Sequence, residues 1–325
     1  MFVLVLFLAI STAASPADEK LAAEIQTIRR NFAGDMAVYL KNLATGEELA
    51  FDADRVSETY SVIKIPIMVE VLRRAERGEF ALADRMEYKA GDQRLGSGIL
   101  AKFDAGLRPT VRDLLTLMII ISDNTATDML ADRVGRANVT KTMHDLGLKN
   151  TSLEFSVLDD YRAWFAYVDP SRKLKTAEEV FQFPLKQYPS ALVDEASRKL
   201  DADPHIYFGH STARETAWLL EQMVKGALVS REASALMLEI LKQQSINDRF
   251  PRYLRNATLA HKTGDDQPWI ANDAGVIWVK ETPIVLVVFT AHHRGTTTAL
   301  HEAIARVAAY TVRHFGGELA DDFRP

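Results

Sequence analysis

Cysteine is absent from all 325 residues. That absence removes disulfides, thiol nucleophiles, cysteine–zinc sites and lipid attachment through a cysteine. Stability must therefore come from a packed core without covalent staples. Basic stripes are absent too: both signs are mixed along the chain and the net charge is −5, so nucleic acid is not expected as a partner. The N-terminal apolar run in "MFVLVLFLAISTAASPADEK" covers about nine residues, too few to span a bilayer. Small residues and then charge follow it, the pattern of a secretory signal with cleavage options at Ala13, Ala14 or Ala17. No Lys or Arg precedes the run, which leaves an uncleaved anchor as the alternative. The expectation is a signal over residues 1–17, a secreted or periplasmic protein, and no stable membrane span once the signal is removed.

What remains is ordinary for a soluble globular protein, 47% apolar and 26% charged. The length allows one large domain or two smaller ones. "EKLAAEIQTIRRNFAG" has helical spacing and a glycine stop, and "DMAVYLKNLATGEELAFDAD" reads as two strands about the turn "ATGE". From Ile63 to Lys242 the pattern is mostly helical. "TLAHKTG", "NDAGVIWVK" and "PIVLVVFTAHH" then read as three strands, and "TTALHEAIARVAAYTVRHFGG" as an amphipathic helix. The order predicts an α/β (α+β) fold: an antiparallel five-stranded sheet flanked by the terminal helices, from residues 18–62 and 243–325, with an all-helical domain over 63–242 inserted into it. Residues 154–210 resist this scheme. They have weak periodicity, several prolines and many aromatics, and read either as a functional lid or as an insertion with its own small helices.

Three short motifs carry chemistry. "YSVIKIPIM" sets Ser61 three residues before Lys64, "IIISDNTATDML" holds Ser122, Asp123 and Asn124, and "LAHKTGDD" holds Lys262, Thr263 and Gly264 at a strand end. Each has a bland reading: a buried helix start, a helix cap, a plain turn. All three in this order and setting are not a coincidence. Together they resemble the penicillin-recognising serine hydrolases, and within them the class A β-lactamase-like group, over nearly the whole chain after the signal except 154–210.

Helix geometry agrees with that resemblance. Residues i and i+3 share a face, so Lys64 can reach Ser61 Oγ. Pro66 is tolerable close to a helix start, where amides lack intrahelical partners. A serine hydroxyl needs a neighbouring base to become a nucleophile, and a lysine serves if burial and positive neighbours such as Lys262 lower its pKa. By resemblance, Ser61 attacks an acyl carbonyl with Lys64 as base or proton shuttle, and Ser122 passes a proton to the leaving group. Asn124 then holds Lys64 and the substrate amide, and Lys262 with Thr263 binds a substrate carboxylate. The oxyanion lies between the amides of Ser61 and Asp265, just after Gly264. Arg249 in "NDRFPRYLR" is the candidate for a second carboxylate-binding arginine, against the plain alternative of an exposed arginine on a loop.

The chain also departs from the family. The usual Glu-x-x-Leu-Asn loop, whose glutamate primes the deacylating water, does not appear after "LGLKNTSLEF". Counting from "NTSL" puts Val157 in that frame; Glu154, Asp159 and Asp160 are near it but out of frame. The resemblance therefore implies a serine acyl-hydrolase on a small-molecule β-lactam, ester or cell-wall peptide, with slow release of β-lactams. Alternatives are an esterase or D-Ala-D-Ala-type peptidase of the same fold, and a non-catalytic ligand sensor. No cofactor or metal is implied, and a monomer is expected. His292 and His293 are adjacent on a strand and point to opposite faces, and His205 and His210 lack a third ligand at recognisable spacing. Asn138, Asn150 and Asn256 head glycosylation sequons read as incidental.

Overall fold

The structure, a computed structural model, describes residues 16–203 and 205–325. The predicted signal, apart from its last two residues, lies outside the described residues. The chain runs through α1 (Pro16–Asn31), β1 (Asp35–Asn42), β2 (Glu48–Phe51), β3 (Ser57–Glu58), α2 (Lys64–Glu76), α3 (Val111–Ile120), α4 (Asn124–Val134) and α5 (Arg136–Asp145). It continues with β4 (Ser152–Leu153), α6 (Val157–Val168), α7 (Ala177–Phe181), α8 (Ser190–Asp201), β5 (Gly209–Ser211), α9 (Ala213–Val224) and α10 (Arg231–Leu241). It closes with β6 (Leu254–Arg255), β7 (Thr258–Asp266), β8 (Ile270–Val279), β9 (Thr282–Ala291), α11 (Thr297–His314) and β10 (Glu318–Leu319). None of the described helices is long and apolar enough to cross a membrane.

The five-stranded sheet has the order β2-β1-β9-β8-β7 and is antiparallel throughout, as the sequence predicts. Strand alternation sorts its side chains between two cores. Val38, Leu40, Leu286 and Val288 pack with Leu21 and Ile25 of α1 and Ile304 and Ala308 of α11. Ala37, Tyr39, Val285, Val287 and Phe289 face the other way, into the core shared with α2, α3, α4, α9 and α10. Burial on both faces is why "PIVLVVF" reads as an unbroken apolar run. In that second core α2 is central: every residue from Lys64 to Leu72 is buried. A helix hydrophobic all round belongs in an interior, and the one charge on its first turn is the lysine of the Ser-x-x-Lys pair.

A second, three-stranded sheet of order β3-β5-β4 escaped the sequence reading. Strands of two or three residues are too short to show a period. Its placement matters: β4 and β5 bracket the 154–210 segment, and β3 ends just before Ser61. Between them, α6, α7 and α8 enclose a small core of Phe165, Val168, Val180, Phe183 and Ala196. The Phe165 and Phe183 rings stack at 4.0 Å, and Phe183 and Tyr188 at 5.3 Å. The aromatics of this segment thus build an insertion with its own helices, and part of it also walls the site described next.

Candidate active site

The turn carrying Ser61 is a 3-10 helix, Tyr60–Ile63, running straight into α2. Tyr60 enters it with φ of 45°. A bulky residue in the left-handed region is strained, and such strain persists only where the surroundings enforce it. They do so here: Thr59 Oγ1 donates to Gly209 O at 2.8 Å and Tyr60 Oη to Asp201 Oδ1 at 2.6 Å. Pro66 falls in the first turn of α2, where a missing amide hydrogen costs nothing.

Lys64 is wholly buried, and its Nζ lies 2.8 Å from Ser122 O, 2.8 Å from Asn124 Oδ1 and 2.9 Å from Ser122 Oγ. Two of these partners only accept, whereas a hydroxyl can also donate. A neutral amine is therefore satisfied here, giving two hydrogen bonds and receiving one. No hydrogen bond joins Nζ to Ser61 Oγ in this structure; the two meet at the same turn, with Ser122 closer to the amine. Ser122 itself has φ of 56°, and its Oγ stands between Lys64 Nζ and Lys262 Nζ, the latter at 3.0 Å. Two ammonium groups cannot share one hydroxyl while both are charged. Burial first, and then the charge of Lys262, push the Lys64 pKa well below the usual amine range. Burial brings Lys262 down to about 7.

The "SDN" triplet divides its labour. Asp123 caps α4, with Oδ1 accepting from Ala126 N at 2.9 Å and Oδ2 from the amides of Ile99 and Leu100. Ser122 and Asn124 on either side face Lys64. Asn124 Nδ2 donates to Leu95 O at 2.8 Å, which fixes the amide so that Oδ1 meets the lysine.

On β7, Lys262 and Thr263 are buried, and Thr263 Oγ1 has no hydrogen-bond partner. An orphaned buried hydroxyl is rare and marks a place for an acceptor. Gly264 packs flat on the nucleophile turn. A Cβ there would run into Thr59 O and come within 3.1 Å of both Ser61 N and Val62 N, so only glycine lets the strand approach. Ser61 and Asp265 line one cavity as a result. Arg249 is not the exposed loop arginine of the plain alternative: it is 1% exposed. Its guanidinium donates to Asp265 Oδ1, to Asn272 O at 2.8 Å and to Gly264 O at 3.3 Å. It sits behind the strand and neutralises Asp265.

The cavity measures about 270 Å³, and Ser61, Ser122, Asn124 and Asp265 form its reactive side. Val157, Asp160, Tyr161 and Trp164 of α6, with Leu200, Phe208 and Asp266, are among the residues that line the remainder. Of the three carboxylates near the missing motif, Asp160 alone lines the cavity. Asp159 accepts from its own helix cap Ser156 and from Arg162, while Glu154 lies beside β5. A larger, more open cleft of about 570 Å³ between α1 and α11 contains none of the motif residues.

Several contributors were missed by motif reading. Asp128 accepts from Val157 N at 2.9 Å and Leu158 N at 3.2 Å and pairs with Arg94, seating the start of α6 on α4. It stands four residues after Asn124, a spacing that puts both on one helix face, and that was the available signal. Asp201 and Asp266 had none; they converge only through the fold. Among the described residues, the cluster with metal-like spacing is Asp18, Glu47 and His314, which shares no residue with the cavity. Its imidazole Nε2 is already 3.0 Å from Glu47 and 3.5 Å from Asp18.

The beta-lactamase enzyme family matches residues 20–315. A beta-lactamase of Streptomyces lavendulae is 27% identical over 303 residues, 90% of this chain and 86% of its own. The crystal structure of a beta-lactamase from Sphaerobacter thermophilus superposes with a TM-score of 0.73 at 26% identity, covering 92% of this chain and 97% of that one. The structure of PBP-A, at 22% identity and a TM-score of 0.72 over 91% of this chain and 96% of its own, shares the fold.

Proposed function

This chain belongs to the beta-lactamase enzyme family, and from that premise we propose that it is a serine hydrolase that opens β-lactams through an acyl-enzyme at Ser61 and releases the acyl group slowly. The observation that carries the reading is the pair of buried amines about one hydroxyl: Ser122 Oγ at 2.9 Å from Lys64 and 3.0 Å from Lys262. Lys64, neutral at working pH, takes the Ser61 proton as Oγ attacks the carbonyl. Ser122 relays that proton to the leaving nitrogen, and the Lys262 charge holds its oxygen in place. The amides of Ser61 and Asp265 stabilise the oxyanion. Lys262 and the orphaned Thr263 hydroxyl take the substrate carboxylate, with Arg249 cancelling the Asp265 charge that would otherwise repel it.

Slow release follows from the wall. Counting along the sequence puts Val157 in the frame of the family's water-activating glutamate, and Val157, which accepts no proton, lines the cavity. The N-terminal apolar run supports export, so that the enzyme meets its substrates outside the cytoplasm.

The test is intact-mass spectrometry with nitrocefin and benzylpenicillin, alongside turnover. A persistent adduct on Ser61, absent from Ser61→Ala, is the expected result. If no β-lactam forms an adduct, the β-lactam assignment is lost. If Ser61→Ala keeps full hydrolytic activity, the whole mechanism is. Fast turnover of simple esters or D-Ala-D-Ala peptides would reassign the substrate to those classes.

A further inference from the structure

Beyond the reacting groups the cavity changes character. Its lining includes Asp160, Asp265 and Asp266 but no lysine, arginine or histidine. Asp265 is neutralised by Arg249. The other two have no such partner. Asp266 hydrogen-bonds to another acid, Asp201, which in turn accepts from Tyr60 Oη. Glu58 lies against the same group, and its Oε1 accepts from Phe208 N at 3.3 Å. Asp160 is partly buried and lines the cavity, and among the described residues its carboxyl has no hydrogen-bond partner. The charges that face these acids from neighbouring elements are Asp128, already paired with Arg94, and the exposed His292, which acts on Asp201 from a distance.

Asp160 and Asp266 therefore line the cavity that holds Ser61, with Asp201 hydrogen-bonded to Asp266 and Glu58 close by, and no basic residue lines the cavity with them. Burial and mutual repulsion hold them towards the protonated form, Asp160 up to about 7 and Asp266 and Glu58 well above the usual carboxylate range. Such an arrangement is unfavourable for the empty enzyme. A cation entering the cavity removes the repulsion and lets the facing acids ionise. These carboxyls do not converge at metal-ligand spacing, so a divalent ion does not fit them. Trp164 and Tyr161 line the same wall, and aromatic side chains there suit an organic ammonium better than a bare metal ion.

We propose that this end of the cavity is a subsite for a protonated amine on the acyl part of the substrate, with Asp160 as its primary contact and Asp266 behind it. The inference rests on the proposed acyl transfer at Ser61: Ser122 and Lys262 occupy the leaving-group side, and α6 walls the side where the retained acyl group lies. Selectivity for cationic acyl groups then comes from the 154–210 insertion together with the residue two places after Gly264.

Ampicillin and benzylpenicillin supply the test, because they differ by a single amino group on the acyl side chain. The second-order rate of Ser61 acylation is followed for each by intact mass at pH 7. The wild type is expected to favour ampicillin by about 10-fold, the equivalent of one added cation contact. The ratio should fall to about one in Asp160→Asn, which keeps the shape and loses the charge. Asp266→Asn gives the same reading should the first variant fold poorly. Equal rates in the wild type, or a preference that survives both substitutions, would overturn the subsite. If neither penicillin acylates Ser61, the acyl-transfer reading itself fails and takes the subsite with it.

Discussion

At the scale of single residues, two buried amines are coupled: burial first, and then the charge of Lys262, lower the Lys64 pKa. Lys262→Gln keeps a donor for Ser122 but removes the charge that helps depress Lys64. The Lys64 pKa should then rise, and the acidic limb of the acylation–pH profile should move to higher pH. We expect acylation at pH 7 to fall about 10-fold or more, with partial recovery at pH 9. A limb that stays in place would mean that burial alone tunes Lys64. The residues proposed for this chemistry were legible in the sequence because proton transfer demands short, fixed spacings. Ser61 and Lys64 must lie one helical turn apart, and Ser122 and Asn124 must flank a cap. Asp160 and Asp266 were visible as letters but not as partners, since nothing local links a helix start to a strand end. Arg249 shows the reverse case, in which the residue was flagged and its burial behind β7 was not foreseen.

At the scale of elements, α6 is held by its amides. Asp128 binds the first two N–H groups of that helix while paired with Arg94, and both side chains are nearly inaccessible. Asp128→Ala leaves two helix-terminal amides and the Nε of Arg94 without their acceptor, and the buried guanidinium keeps only its bonds to Gly91 O and Gln93 O. The expected loss is about 3–5 kcal/mol of stability, read as a lowered denaturant midpoint. A loss below 1 kcal/mol would show that the α6 seat rests on its aromatic core instead. The same seat points Val157 into the cavity. Val157→Glu places a carboxylate beside the acylated serine and should shorten the life of the penicilloyl adduct by at least about 10-fold, leaving its formation rate less affected. An unchanged lifetime would place the release step elsewhere. The long helices and the sheet strands declared themselves by period. β3, β4 and β5 could not, yet they fix where the insertion starts and stops relative to Ser61.

For the whole molecule, the two unusual charge groups make stability depend on pH in opposite directions. Asp160 has a raised pKa, about 7 when folded against 3.8 as reference. Its stabilising contribution is complete below about pH 4 and is lost as pH rises through 7. Lys262 has a lowered pKa, about 7 against 10.5, so its contribution is complete only at high pH and is lost as pH falls through 7. Between them they put a dip in stability near neutrality. Asp160→Asn and Asp266→Asn should each raise the melting temperature at pH 8 by about 2–5 °C and leave it nearly unchanged at about pH 3.5, below the reference carboxyl range. A uniform shift at both values would refer the effect to packing rather than charge.

The sheet also constrains how the protein comes into being. The second strand in sequence to pair with β1 is β9, with Val38 set against Val288, so a central strand made early waits for one made almost last. Such non-local closure is slow to nucleate. Until residue 291 is available, β1 has β2 beside it on one edge and nothing on the other, and the Ser61 turn has no β7 to rest on. A nascent or C-terminally truncated chain is thus expected to lack the proposed activity and to be open to proteases until β7 and β9 are in place.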